Sequence, residues 1–311
     1  MRPRWLSPGL MRAGQFALAA LMLALLWRAL DGAEAARSLA GADPLWLCAA
    51  LAALTLQTAL SALRWRLTAA QLGIRLGLGA ALREYYLGQA LNLSLPGGVV
   101  GDAGRAVRAR QQAGLLASGQ AVVFERLAGQ AGLFVITAGA FAVTLAAPGG
   151  LEWPARLIPP VAIFILIGLC LPLVLYVLTQ VPGRIGAGAR SVWHGMQRAV
   201  LARGVILPQT LLSLGTALSN LAAFAFCALA VGHGLPLAAV LAFVPLILLT
   251  MLIPLTISGW GLREGAAAAL FPLAGGAASG GLAASVAFGL MMIVAALPGL
   301  IFVVGRRRAA A

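Results

Sequence analysis

Residues 91–106 read LNLSLPGGVVGDAGRA, which sets a proline, several glycines, an Asp and an Arg into a strongly apolar chain. Proline removes a backbone donor and clashes with the preceding helical turn, so a helix running from Glu84 to Leu95 stops at Pro96. That segment is about a dozen residues, short of the roughly 20 that cross a bilayer core as a helix. Arg64, Arg66, Arg75 and Arg83 precede it, and Arg105, Arg108 and Arg110 follow the break. Arginine in short loops marks the cytoplasmic side, so the chain enters from that side and returns to it. The expectation is a re-entrant hairpin over residues 84–110. Such a hairpin is tolerated at membrane depth only where protein or a polar cavity surrounds the broken backbone.

The surroundings support a membrane setting. The 311 residues are 61% hydrophobic and 10% charged, with a mean hydropathy of +0.97, unlike a soluble domain. Apolar runs at Phe16–Trp27, Leu45–Leu63, Val122–Ala147, Leu157–Leu178, Leu211–Val231, Leu235–Ile257 and Leu282–Val304 are continuous, which implies helices, because barrel strands would alternate. All 22 basic residues are Arg, against 8 acids, for a formal net charge of +14. In a soluble protein that excess would point to nucleic acid. Here basic loops beside anionic lipid explain it, no basic run is interleaved with aromatics, and no nucleic-acid partner is expected. Cys48, Cys170 and Cys227 each lie in an apolar run and read as small core residues, without metal spacing or a disulfide framework.

Arginine placement orients the rest. Arg2, Arg4 and Arg12 ahead of Phe16–Trp27 fit a retained anchor or a signal peptide cleaved near Ala33-Glu34-Ala35, and the polytopic context favours the anchor. The acidic stretch Asp31–Asp43 reads as an external linker. Arg64 and Arg66 close the second run on the cytoplasmic side, with Trp65 as an interfacial anchor. The loop bearing Arg184, Arg190, Arg198 and Arg203 is cytoplasmic. Within it, residues 190–203 form either a surface helix with Trp193 and Met196 inward or a solvated loop. The segment from Leu235 enters from outside and breaks at LIPLTISGWGLREG, residues 252–265; if it turns back, Arg306, Arg307 and Arg308 end on the cytoplasmic side and parity closes.

The two breaks align. Pro96, Gly101 and Arg105 repeat the spacing of Pro254, Gly259 and Arg263. One hairpin opens to the cytoplasm and the other outward. The fold class expected is therefore all-α, with two re-entrant Pro/Gly-broken hairpins related as an inverted repeat. A first half, 1–156, carries hairpin 84–110, and a second half, 157–311, carries hairpin 235–275. In inverted-repeat transporters such paired breaks mark the substrate site near the midplane.

A charge at a membrane helix centre costs about 2.5–3.5 kcal/mol in insertion assays, so intramembrane ions are expected to be paired or to face water. Candidate pairs are Asp102 with Arg105, Arg263 with Glu264, and Glu125 with Arg126. Helix ends beginning after the breaks would present positive dipole ends to an anionic head group, and Asp102 or Glu264 is a candidate proton carrier. An intramembrane transferase is the rival class, but the chain has no D-x-D, H-E-x-x-H, G-x-S-x-G or Walker loop. His194 and His233 read as solvated loop residues. No cofactor or metal is expected.

These residues carry a resemblance. N-x-x-L-P-G-x-x-x-G-D-x-x-R at Asn92–Arg105, Arg64-Trp65, Glu125-Arg126 and P-x-x-x-S-G-x-G-x-R-E at Pro254–Glu264 resemble the lysylphosphatidylglycerol synthase transmembrane-domain family of flippase-like membrane proteins. The likeness covers nearly the whole chain, although Val100-Gly101-Asp102 keeps one glycine where the family often has two. It implies a lipid translocase of the bacterial cytoplasmic (inner) membrane, moving an anionic or modified lipid whose phosphate head group Arg105 and Arg263 are expected to grip. It also implies that a separate enzyme modifies the lipid, since Arg306–Ala311 leaves no room for a soluble aminoacyltransferase. The substrate-binding residues implied are Asn92, Pro96, Gly101, Asp102, Arg105, Glu125, Arg126, Pro254, Ser258, Gly259, Gly261, Arg263 and Glu264. A membrane-embedded transferase, or a scaffold subunit in phospholipid, polyprenyl or hopanoid biosynthesis, is the alternative.

Overall fold

The computed structural model describes residues 8–94, 99–146, 151–253 and 255–309, with side chains from residue 13 to 301. The expected break residues Pro96 and Pro254 lie outside the described residues. All regular structure among the described residues is helical. In chain order the helices are α1 Pro8–Ala29, α2 Gly32–Ala40, α3 Pro44–Gln71, α4 Leu78–Ser94, α5 Val100–Ala146, α6 Ile158–Thr179, α7 Gly183–Met196, α8 Ile206–Ala230, α9 Leu237–Leu249, α10 Leu262–Leu270 and α11 Ala278–Ala309. Among the described residues, α3, α5, α6, α8 and α11 are long and apolar enough to cross a membrane, and α1 with α2 makes a sixth if that pair, bent by 98°, is one span.

The described chain groups into two compact units, each discontinuous in sequence. The first comprises residues 1–55, 86–101 and 220–311; the second comprises 56–85 and 102–219. In the first unit Phe224 packs on Phe271 and Phe288, with ring centroids 6.4 and 5.4 Å away. There α11 approaches α10 so closely that a Cβ at Gly281 would meet the Ala267 carbonyl, the close packing that glycine permits. In the second unit Ala62, Trp65, Ala81, Tyr85, Ala106 and Val122 form one core, and Ala69, Ile74, Ala109 and Ala121 form another.

Several local expectations change. The stretch read as a linker after Asp31 is helix α2: the Asp31 side chain accepts from the Glu34 N–H at 3.0 Å, which supplies the N-cap that starts an Ala-rich turn. Residues 190–201 are helical, because α7 continues into a π-helical turn at Gln197–Leu201, and the chain leaves the helix at Ala202 and Arg203. Its small residues Gly186, Ala189 and Gly195 are buried, Trp193 and Met196 are half-buried, and Arg184, Arg190, Arg198 and Arg203 are exposed. Arg190 Nη1 donates to the Thr179 carbonyl at 2.7 Å, a cation on the carbonyl-rich end of α6. Of the cysteines only Cys227 is buried; Cys48 is exposed and Cys170 is intermediate. His233 is half-buried rather than solvated, its Nε2 3.4 Å from Ser38 Oγ.

The most consequential feature is in α5. An unbroken helix would put Arg105 and Glu125 about 30 Å apart along its axis. Arg105 Nη2 instead lies 3.3 Å from Glu125 Oε2. The helix folds back at Gly114, whose φ of 83° and ψ of 166° lie where essentially only glycine is stable. One 47-residue element is therefore two arms, and the fold-back is what assembles the charges described next.

Candidate functional site

Among the described residues two buried arginine clusters are present, one in each unit. In the second unit Arg105 is 1% exposed, and its Nη2 lies 2.6 Å from Asp102 Oδ1. The i, i+3 spacing stacks the two on one face of α5, with the acid in the first turn where the helix dipole favours it. Beyond the fold-back, Glu125 accepts from Arg64 Nη2 at 2.6 Å and Nε at 3.2 Å. It also accepts from the Tyr85 hydroxyl at 3.2 Å. Arg126 Nη2 holds Asp102 Oδ2 at 2.7 Å with its own side chain 45% exposed, so this pair is the open edge of the cluster. Arg108 pairs with Glu84 beside it.

The expected pairing is therefore partly crossed. Asp102 does pair with Arg105, but no ion pair joins Glu125 to Arg126 among the described residues. Adjacent residues on a helix point about 100° apart, so Glu125 turns to Arg64 and Arg105 while Arg126 turns to Asp102. Trp65 is not an interfacial anchor: it is 1% exposed and lies against the Arg105 guanidinium, 4.8 Å from ring centroid to Cζ. Tyr85 lies 4.5 Å from the same carbon. Arg64 belongs to this cluster rather than to a loop, because α3 runs on past the apolar stretch to Gln71.

Donors outnumber acceptors here. Arg105 Nε and Nη1, Arg64 Nη1 and Trp65 Nε1 are buried with no hydrogen-bond partner among the described residues. A buried donor left unmade costs about 1–3 kcal/mol, and more when charged.

The cluster of the first unit is built differently. Arg263 is 1% exposed and meets Glu264 Oε1 from Nη2 at 2.5 Å and from Nε at 3.1 Å. Nε also donates to Ser285 Oγ at 2.9 Å, Nη2 donates to the Ser285 carbonyl at 3.1 Å, and Nη1 sits 3.9 Å from Met292 Sδ. Glu264 Oε2 accepts from the Gly261 N–H at 2.6 Å, which caps the start of α10. Trp260 and Phe288 flank the guanidinium at 5.0 and 5.5 Å. Gly289 leaves the room, since a Cβ there would meet Arg263 and Trp260. Every nitrogen of this guanidinium has a partner.

The first unit also joins the two broken motifs. Asn92 Oδ1 accepts from the Gly101 N–H at 2.7 Å, capping the first turn of α5. The Asn92 carbonyl accepts from Ser258 Oγ at 3.2 Å. Ser258 holds φ 50° and is followed by Gly259 at φ 75° and Gly261 at φ 88°, a left-handed path that only small residues follow readily. A Cβ at Gly101 would meet the backbone of Gly88, so α4 and the start of α5 touch there without side chains between them.

The sequence model of the family described as "Lysylphosphatidylglycerol synthase TM region" matches residues 12–299. The chain belongs to this family. It is accordingly an integral membrane protein linked to lipid modification or transport, and the match runs through both arginine clusters. No curated protein and no solved structure matches the chain. Of the family-type residues noted in the sequence, Asp102, Arg105, Glu125 and Arg126 meet in one cluster, Gly261, Arg263 and Glu264 in the other, and Asn92, Gly101 and Ser258 at the joint between the motifs. The sequence reading left out Arg64, Trp65 and Tyr85 as site residues, along with Trp260, Ser285 and Phe288. Arg64-Trp65 carried a signal, a charge and a large aromatic at the end of an apolar run; Tyr85 and Ser285 carried none that their own sequence positions reveal.

Proposed function

We propose that the protein is a lipid translocase that moves an anionic or modified lipid between leaflets of the bacterial cytoplasmic membrane, with both termini cytoplasmic. The observation that carries this reading is the Arg105 cluster. A buried guanidinium, held by two aromatic rings and two carboxylates, retains two nitrogens, Nε and Nη1, and neighbours further donors on Arg64 and Trp65 that lack an acceptor. Phosphate oxygens supply acceptors in the geometry a guanidinium fork fits.

In this reading Asp102, Arg105, Glu125 and Arg126 meet the head group, and Arg126 with Asp102 forms the edge through which it passes. Asn92, Gly101, Ser258 and Gly259 set the backbone at the breaks. Gly261, Arg263 and Glu264 position the second break. Hairpins 84–110 and 235–275 act as the paired, inverted elements whose alternate exposure moves the lipid while its acyl chains stay in the bilayer. A separate lipid-modifying enzyme would supply or consume the cargo.

Purified protein in liposomes should accelerate equilibration of a labelled anionic phospholipid between leaflets. Correctly inserted Arg105→Ala should slow it at least about tenfold, the loss expected for a charged hydrogen bond worth about 1.5–3 kcal/mol. If the parent moves no lipid, the scaffold reading takes its place; if the variant keeps pace with the parent, the head-group assignment fails.

A further inference from the structure

The charge balance of the Arg105 cluster says which head groups it accepts, a step that rests on the translocase reading above. Three guanidinium groups, Arg64, Arg105 and Arg126, face two carboxylates, Asp102 and Glu125, leaving one positive charge in excess. Every carboxylate oxygen is already engaged. Asp102 Oδ1 holds Arg105 and Oδ2 holds Arg126. Glu125 Oε1 takes Arg64 and Tyr85, while Oε2 takes Arg105. Among the side chains of this cluster the unpartnered groups are all donors: Arg105 Nε and Nη1, Arg64 Nη1 and Trp65 Nε1.

A donor-only site with one spare cation matches a phosphodiester monoanion. It offers nothing to an ammonium group, which needs acceptors and would meet the surplus charge at close range. The geometry points to a head group that is an anionic phosphodiester without a cationic substituent, recognised by Arg105, Arg64 and Trp65. An aminoacylated or choline-type head group is disfavoured at this cluster. Tyr85 and Trp65 contribute a further constraint: their rings hold the Arg105 guanidinium and its unpartnered nitrogens in place, so little entropy is lost in engaging them.

The test measures binding separately from transport. The purified full-length protein in detergent is titrated with dihexanoyl phosphatidylglycerol, dihexanoyl phosphatidylcholine, dihexanoyl lysyl-phosphatidylglycerol and glycerophosphoglycerol. Phosphatidylglycerol should bind at least about tenfold tighter than either cation-bearing lipid, because the ammonium meets the surplus charge at close range. Trp65→Phe keeps the ring and removes one donor, and should weaken phosphatidylglycerol about three- to tenfold while leaving the cation-bearing lipids unchanged. Arg105→Lys keeps the charge but loses the fork, and should erase the selectivity.

Glycerophosphoglycerol binding tenfold or more below the lipid identifies a membrane source for the phosphodiester; equal affinity identifies a soluble one, and either keeps the donor assignment. Equal or tighter binding of lysyl-phosphatidylglycerol overturns the inference, as does unchanged selectivity in Trp65→Phe and Arg105→Lys together. Selective binding by a protein that moves no lipid in liposomes sustains the inference while removing the translocase reading.

Discussion

The two arginine clusters share a plan and differ in completion. Each buries a guanidinium to 1% exposure against two aromatic rings and a glutamate: Arg105 with Trp65, Tyr85 and Glu125, and Arg263 with Trp260, Phe288 and Glu264. Around Arg263 the accounting closes, since one cation faces one anion and Ser285, Met292 and the Gly261 N–H take what remains. Around Arg105 it stays open, with surplus charge and surplus donors. A closed ion pair in a low-dielectric interior holds backbone in place, here the left-handed turn at Ser258–Gly261. The open one is where the proposed translocase would receive its ligand.

The largest expected effect falls on the carboxylates. Glu125→Ala leaves Arg64 and Arg105 without their shared partner, and Glu264→Ala strands Arg263 and the Gly261 N–H. Each should lower unfolding stability by about 3–5 kcal/mol, the usual cost of breaking a buried pair from one side. Thermal unfolding in detergent measures it. Added phosphatidylglycerol should raise the parent's transition and leave that of Glu125→Ala lower; a rescue of Glu264→Ala alone by lipid would reverse the assignment of open and closed clusters.

Next in size is the fold-back. Gly114→Ala forces a side chain into a backbone region that costs about 1–3 kcal/mol to occupy, although the space around it is open. Because Gly114 sits between Arg105 and Glu125, lipid binding should weaken more than the stability loss alone explains, whereas Gly281→Ala, which crowds α10 against α11, should cost stability with binding retained. Equal effects on binding from both substitutions would contradict the proposed division of roles.

The smallest effect belongs to the exposed edge. Arg126→Gln removes a pair whose cation is half-exposed, so stability should change by no more than about 1 kcal/mol. Its signature should be kinetic: lipid association slowed a few-fold with a weakened dependence on salt, read by stopped-flow mixing over a range of ionic strength.

The apolar runs were enough to read the helical membrane class, since roughly 20 continuous apolar residues admit little else. The spacing Asp102 to Arg105 and the adjacency of Arg263 and Glu264 likewise made those pairs legible, because local helical geometry decides them. What lay beyond the sequence was set by tertiary contact. Gly114 is one glycine among 38, and nothing local distinguishes it from the others, yet its conformation brings Glu125 to Arg105. The same holds for Trp65, whose position beside Arg64 and Arg66 resembles a membrane interface until the helix is seen to continue beyond it. Charge in a short linker likewise concealed α2, where Asp31 serves as a cap.

Transport by two variants compared side by side in liposomes is the most direct test. Arg105→Met removes the unfilled donors, whereas Arg263→Met combined with Glu264→Gln replaces the closed pair by a neutral one that still offers an acceptor to Gly261. With equal amounts of folded, inserted protein, Arg105→Met should lose at least about tenfold in the rate of anionic-lipid movement, in line with the charged hydrogen bonds removed. The double variant should stay within a few-fold of the parent. Comparable losses in both, or a loss confined to the double variant, would contradict a single open site at Arg105.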